Sequence, residues 1–330
     1  MAILVTGSNG FAGINIVRKL AEKGELVVGL DNSPPIEETK AFLGEVEGNV
    51  QFVSADIVNP KEVLEISKEY NIQRFVHAAA VTPTMEAEKA NPSRVIDVNL
   101  MGTVNVLEAA RKLSAKRFVF VSSSGMYGAP SNPTELVFED TPLRLDKLYA
   151  ICKYSSELIV KRYRDLYGLS TVTGRMCAIF GPMERTSISR ENPSMIFKLL
   201  SSVFSEKHLR VKGGDLVNDY THAEDAATIW SHLTLDNNLL YDLYHVSAGV
   251  AYPLKEVLKT IHSIEPNFKY TLVTGDEESE IEMMPDGERG ALDITRAREN
   301  FGFEPKFNLL HGLQNYIEWA KAFPSLSPKI

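Results

Sequence analysis

"VTGSNGFAG" (residues 5–13) decides the fold. It grows out of "AILVT" (2–6), an apolar run too short for a helix and closed by glycine, which reads as a buried strand. It leads into "GFAGINIVRKLAEKG" (10–24), where Phe11, Ile14, Val17 and Leu20 recur at helical spacing until Gly24. Strand, glycine turn and helix in this order form the context of a dinucleotide fingerprint, here spaced G-x-x-G-x-x-G rather than G-x-G-x-x-G. Gly7 permits the tight turn, Gly10 lets a pyrophosphate approach the backbone, and Gly13 lets the helix lie close to the sheet. The free N–H groups and positive dipole end of the helix face the phosphates.

The second strand, "LVVGLD" (26–31), ends in Asp31, 18 residues beyond Gly13. A carboxylate there accepts from both ribose hydroxyls and repels a 2′-phosphate, so the expected cofactor is NAD rather than NADP. Asp56, with Ile57 beside it, ends the third strand "VQFVSAD" (50–56) and is placed to meet an adenine edge. "RFVHAAA" (74–80) ends in small side chains that let a flat cofactor pass close to the backbone.

Strands at 116–124 and 170–176 follow, with helical patterns at about 60–71, 92–113 and 147–167 between the strands. Uniformly apolar strands alternating with helices predict an α/β fold, a doubly wound parallel Rossmann sheet. Beyond residue 176 the pattern loosens into a smaller C-terminal α+β substrate lobe. Helices are expected at 193–204, 253–264, 295–302 and 309–323, and a returning strand at 241–247. The expected division is 1–176, plus about 218–248, for the NAD-binding domain, and 177–217 with 249–330 for the lobe.

The totals limit the classes of function. Of 330 residues, 44% are hydrophobic and 24% charged, an ordinary soluble composition. A net charge of −8 argues against nucleic acid or an anionic membrane as partner. No run of about 18 apolar residues offers a membrane span, and no signal peptide is visible. Two cysteines, Cys152 and Cys177, exclude a disulfide framework and fit a reducing cytosol. No clustered His/Cys/Asp spacing suggests a metal.

The chemistry converges on "DKLYAICKYSSELIVKRY" (146–163), where Tyr149 and Lys153 share one helical face. With 12 Tyr and 20 Lys in the chain, chance alone yields about 0.7 such Tyr-x-x-x-Lys pairs, so context decides. That context is "VSSSGMYG" (121–128), whose hydroxyls end the fifth strand on the side of the glycine turn. Hydride leaves an alcohol carbon only as a base takes the hydroxyl proton. A phenol of pKa about 10 becomes that base if nearby cations, Lys153 among them, favour phenolate.

These segments together resemble the extended short-chain dehydrogenase/reductases of the NAD-dependent epimerase/dehydratase group, in particular UDP-glucose/galactose 4-epimerase-like proteins. The resemblance runs from residue 3 to about 305. It rests on "TGSNGFAG", "SADI", "HAAA", "VNLMGTVNVLEAA", "VSSSGMYG", "YAICK", "GRMCAIFGP" and "NDYTHAEDAA". It implies Gly7, Asn9, Gly10, Phe11 and Gly13 at the pyrophosphate, Asp31 and Asn32 at the adenosine ribose, and Asp56 and Ile57 at the adenine. It further implies Ala78, Ala79, Ala80, Asn99 and Met176 along the cofactor, with Tyr149 and Lys153 touching it as well. Ser123, four residues before Tyr127, takes the place of the family's catalytic Ser/Thr, and Thr82 and Ser124 fall beside the substrate. A homodimer built by the helices at 92–113 and 147–167 is also implied.

The departures concern the substrate. Sugar-nucleotide 4,6-dehydratases carry Asp-Glu where this chain has Ser124-Gly125, which argues against dehydration. Ala178 replaces an Asn, and Asn218 replaces an Arg that grips a substrate diphosphate, a loss of a bidentate fork. Met284, Pro285 and Asp286 stand where a second such Arg is usual, with Arg289 close by. Arg185 and Arg190, in "MERTSISRENPS" (183–194), are candidates to bind an acidic group on the substrate. The expectation is an oxidoreductase acting through Tyr149 on a secondary alcohol of a sugar or nucleotide-sugar-like molecule. A dehydrogenase of a small sugar acid or polyol, and a non-catalytic NAD-binding sensor, are the alternatives.

Overall fold

The computed structural model describes residues 2–187, 189–205 and 207–328. Among them the strands run β1 (Ala2–Thr6), β2 (Leu26–Asp31), β3 (Val50–Ser54), β4 (Ile72–His77), β5 (Arg117–Ser123), β6 (Thr171–Met176) and β7 (Ala178–Phe180). They continue as β8 (Leu209–Lys212), β9 (Val217–His222), β10 (Leu243–Val246), β11 (Ala251–Pro253), β12 (Tyr270–Val273) and β13 (Ile281–Glu282). Seven form one sheet in the order β10-β6-β5-β4-β1-β2-β3. Every pairing in it is parallel. The strand order reverses between β1 and β4, which opens the ligand crevice of a doubly wound sheet.

Successive side chains point to opposite faces of a strand, and both faces of this sheet are covered. Ile3 and Val5 pack with Val17 and Leu20 of helix Phe11–Glu22 and with Ile229 and Trp230 of helix Ala223–Leu235. Leu4, between them, packs on the other face with Val63, Val106 and Val160 from helices Pro60–Glu69, Gly102–Lys112 and Leu148–Tyr167. Helix Ala223–Leu235 is not anticipated above, although Ala226, Ile229, Trp230 and Leu233 keep helical spacing in "AEDAATIWSHL". It needs Gly174 beneath it: a Cβ there would stand 2.4 Å from the Trp230 ring.

Two expected elements differ in detail. Strand 74–80 ends at His77, and Ala78–Ala80 leave the ladder. The helix expected over 92–113 is interrupted: Pro92–Ile96, a π turn at Asp97–Met101, then Gly102–Lys112. The extra residue of the π turn goes with Asn99 facing inward, as such insertions often do near functional sites. Its Oδ1 accepts from Val81 N and its Nδ2 donates to Val81 O, both at 2.9 Å.

The smaller lobe carries two three-stranded sheets, β11-β9-β7 and β12-β8-β13. Its core joins helix Met195–Ser205 (Ile196, Leu200), helix Leu254–Ile264 (Val257, Ile261) and helix Leu309–Ala322 (Leu313, Ile317). The expected return to the large sheet occurs at β10, which pairs with β6. No helix among the described residues is long and apolar enough to cross a membrane.

Candidate active site

A cavity of about 840 Å³ runs across the carboxyl ends of the large sheet, from Asp31 and Asp56 at one end to Tyr149 and Lys153 at the other. Its floor is the glycine turn. Gly7 has φ +69°, and an added Cβ would meet the Ala79 backbone at 2.6 Å. Gly13 is tighter still, with its absent Cβ 2.0 Å from Gly7 O. The close approach at Gly13 is therefore to the turn itself. Gly10, exposed with φ −73°, donates its N–H to Gly7 O at 3.0 Å and caps the helix without a side chain. The glycines of the turn thus present only backbone to a ligand.

Asp31 is held in place. Its Oδ2 accepts from Asn9 N at 3.0 Å, and its Oδ1 accepts from Ser33 N at 3.0 Å and Ser33 Oγ at 2.7 Å. Asn32, Asp56, Ile57, Ala78, Ala79 and Ala80 all line the cavity. Asp56 Oδ1 takes the Val58 N–H at 2.9 Å, leaving the carboxylate exposed beside buried Ile57. Phe11 and Met176 line it as well. Asn99 stands behind Val81 rather than on the wall, and its carbonyl accepts from Ser156 and Thr103.

At the far end, Ser123 closes β5 and accepts from Gly125 N at 3.1 Å, which leaves its O–H free to donate. Burial raises the pKa of the neighbouring Tyr149 phenol, and hydrogen bonding with Ser123 and the charge of Arg190 oppose the rise. Lys153 donates to Val121 O at 2.9 Å, with its Nζ 5.9 Å from the Tyr149 ring centre. Burial lowers Lys153 to about 8. The expected depression of the Tyr149 pKa by Lys153 is thus not what the protein alone provides. Burial outweighs it, and the opposing groups are Ser123 and Arg190.

The remaining candidates separate. Thr82 donates both N–H (2.9 Å) and Oγ1–H (3.2 Å) to Ser189 O. Ser124 is buried at the start of the short helix Ser124–Tyr127. Arg190 donates Nη2 to the fully buried Glu184 at 2.8 Å and lies over the Phe11 ring at 5.2 Å. Arg185 turns the other way and donates Nη2 to Asn9 O at 2.5 Å. Asn218, on β9, gives Nδ2 to Gly287 O at 3.4 Å. Arg289 is bonded to the carbonyls of Asp286 and Glu288. Lining residues not singled out above include Ser33, Val98, Ser122 and Asn192. Ser33 had a signal, since a serine two after an aspartate closes an Asx turn; Ser122 and Asn192 had none.

The arrangement fits a dinucleotide. Beside the cavity, Asn9 Oδ1, Ser122 Oγ and Arg185 Nη1 are buried polar atoms without a protein partner, and a bound polar ligand relieves such atoms. Among the described residues no group of His, Cys, Asp and Glu is arranged to hold a metal.

Comparison with known proteins agrees. Residues 3–240 match the sequence model of the NAD dependent epimerase/dehydratase family. A UDP-glucuronate 4-epimerase of Thermodesulfobacterium geofontis is 27% identical, over 96% of this chain and 95% of that protein. A putative UDP-glucose 4-epimerase of Methanocaldococcus jannaschii is 28% identical, over 97% and 98%. The Thermus thermophilus UDP-glucose 4-epimerase, solved with NAD, superimposes with a TM-score of 0.81 at 24% identity, covering 98% of this chain and 100% of that one. Glycine turn, parallel sheet and family match together make this chain an enzyme of the NAD-dependent epimerase/dehydratase family, with NAD as its cofactor.

Proposed function

We propose that the protein oxidises a secondary alcohol of a sugar or nucleotide-sugar-like substrate, with Tyr149 as acid/base. The observation that supports this most is the convergence of Ser123, Tyr149 and Lys153, which all line one end of a cavity floored by the glycine turn. When bound, NAD accepts the hydride. Tyr149 takes the hydroxyl proton from the substrate oxygen, and Ser123 donates to that oxygen as charge develops on it. Lys153, fixed at Val121 O, supplies positive charge and would hold the nicotinamide ribose. Gly7, Asn9, Gly10, Phe11 and Gly13 would hold the pyrophosphate, Asp31 and Asn32 the adenosine ribose, and Asp56 and Ile57 the adenine.

The curated relatives are named for 4-epimerisation of UDP-sugars, and a sugar acid is the substrate class we favour. Arg190 supports it: its cation acts on Tyr149, and its Nε is buried and unpartnered. A second reading, a dehydrogenase of a small sugar acid without a nucleotide, is favoured by Asn218, which bonds Gly287 where a relative's arginine would reach a diphosphate. Ser124 and Gly125 speak against a 4,6-dehydratase. The two buried, unpaired thiols suit the reducing cytoplasm. Ile96, Met101, Ile151 and Leu158, exposed on adjoining helices, suit a homodimer face.

Incubation with NAD and UDP-sugars, uronic acids or polyols tests the reading. An epimerase turns over without net NADH, whereas a dehydrogenase accumulates NADH stoichiometrically. Tyr149→Phe is expected to lower kcat by about 10²- to 10⁴-fold while NAD still binds. Unchanged kcat in that variant would refute the assignment.

A further inference from the structure

Residues 184–187 with 189 and 190 form a strap between the two walls of the cofactor cleft. At one end Arg185 Nη2 donates to Asn9 O at 2.5 Å, inside the glycine turn. At the other, Ser189 O accepts from Thr82 N at 2.9 Å, just beyond Ala78–Ala80. Ser187 and Arg190 exchange backbone hydrogen bonds at 3.0 Å, which closes the strap on itself. Glu184 pins its root, accepting from Ser194 N, Ser194 Oγ and Arg190 Nη2 at 2.8–2.9 Å. Arg185, Ser187, Ser189 and Arg190 of this strap line the same cavity as Asp31 and Tyr149.

We propose that Arg185 is a cofactor-binding residue that grips the NAD pyrophosphate from above and latches the strap over it. The glycine turn itself carries no cationic side chain, and phosphate recognition commonly adds a cation. Arg185 is a cavity-lining cation bonded into that turn. Its Nη1 is buried and has no partner, a donor whose desolvation is uncompensated in the protein alone. Its bond to Asn9 O places it at the glycine turn, where Asp31 and Glu38 act on it electrostatically. This separates the two arginines, with Arg185 serving the cofactor and Arg190 the reacting end. The strap must open for NAD to leave, so the cofactor exchanges slowly between turnovers.

The inference rests on NAD occupying this cleft, and the test separates the two. Calorimetric titration with NAD, ADP-ribose and adenosine is applied to the wild type, Arg185→Met and Arg185→Lys. Loss of one charge-assisted bond to phosphate predicts that Arg185→Met weakens NAD and ADP-ribose by about 10- to 100-fold and adenosine little. NAD release, followed by trapping in stopped flow, should quicken in the same variant, and Arg185→Lys should recover part of both effects. Equal NAD affinity and release in wild type and Arg185→Met overturns the proposal, and so does a rise confined to substrate KM. A wild type that binds no NAD refutes the cofactor site itself.

Discussion

Gly13→Ala should behave opposite to an ordinary glycine replacement inside a helix. In a helix interior, alanine is better than glycine by about 1 kcal/mol. Here the new Cβ would lie 2.0 Å from Gly7 O and 2.7 Å from Gly7 C. Ordinary contact begins near 3.4 Å, so the shortfall, 3.4 minus 2.0, is about 1.4 Å. No flexible side chain is there to yield. Gly7 O already accepts from Gly10 N, and Gly7 N donates to Leu30 O at 2.8 Å, so displacing the turn breaks bonds on both sides. Overpacking of this kind costs about 1–3 kcal/mol, which outweighs the helical gain. The expected result is a lower Tm and at least about tenfold weaker NAD, since a backbone donor to phosphate is misplaced. Gly48→Ala, where a Cβ meets nothing within 4 Å, is the control. Calorimetry and NAD titration read both effects. A Gly13→Ala protein that melts at or above the wild type and binds NAD equally would refute the reasoning.

Burial holds His77 at about 3, and His222 and His245 at about 4, all below the usual 6.5. The unfolded chain therefore takes protons that the fold refuses, and stability present above pH 6.5 is lost as pH falls towards 4. The loss is about 3 kcal/mol for each histidine at pH 4; a Tm that stays flat between pH 7 and 5 would contradict this. Glu157→Ala strands the buried Arg175, whose Nε and Nη2 it binds at 3.0 and 2.8 Å. Denaturant unfolding should show a loss of about 3–5 kcal/mol, partly recovered by adding Arg175→Met. Ile151→Glu with Leu158→Glu should turn a dimer into monomers, read by light scattering after gel filtration, and an unchanged mass would exclude that face.

The first half of the fold was legible because each strand there is buried on both faces and each turn is punctuated by glycine or aspartate. Asp31, the hydroxyls that end β5 and the Tyr149–Lys153 pair lie where strand ends and helical spacing put them, whereas the choice of Ser123 among those hydroxyls came from the family resemblance. Helix Ala223–Leu235 carried a helical signal in Ala226, Ile229, Trp230 and Leu233 and was legible but not anticipated; it is pressed between the sheet and helix Phe11–Glu22. The π turn at Asp97–Met101 was hidden because its cause is tertiary, the pairing of Asn99 with Val81, 18 residues away. Arg185 and Arg190 sit five apart in one polar loop and look alike in sequence. Only their partners, Asn9 for one and Glu184 with Phe11 for the other, show that they face different ends of the cavity.

Because β10 completes the large sheet at β6, the polypeptide is committed to a delay during its own synthesis. Seventy residues separate Met176 from Val246, the ends of the two strands. At about 5–20 residues per second, roughly 4–14 s pass on the ribosome with the outer rim of β6 bare. An unpaired strand rim invites pairing with a neighbouring nascent chain, so chaperone cover should matter most in that interval.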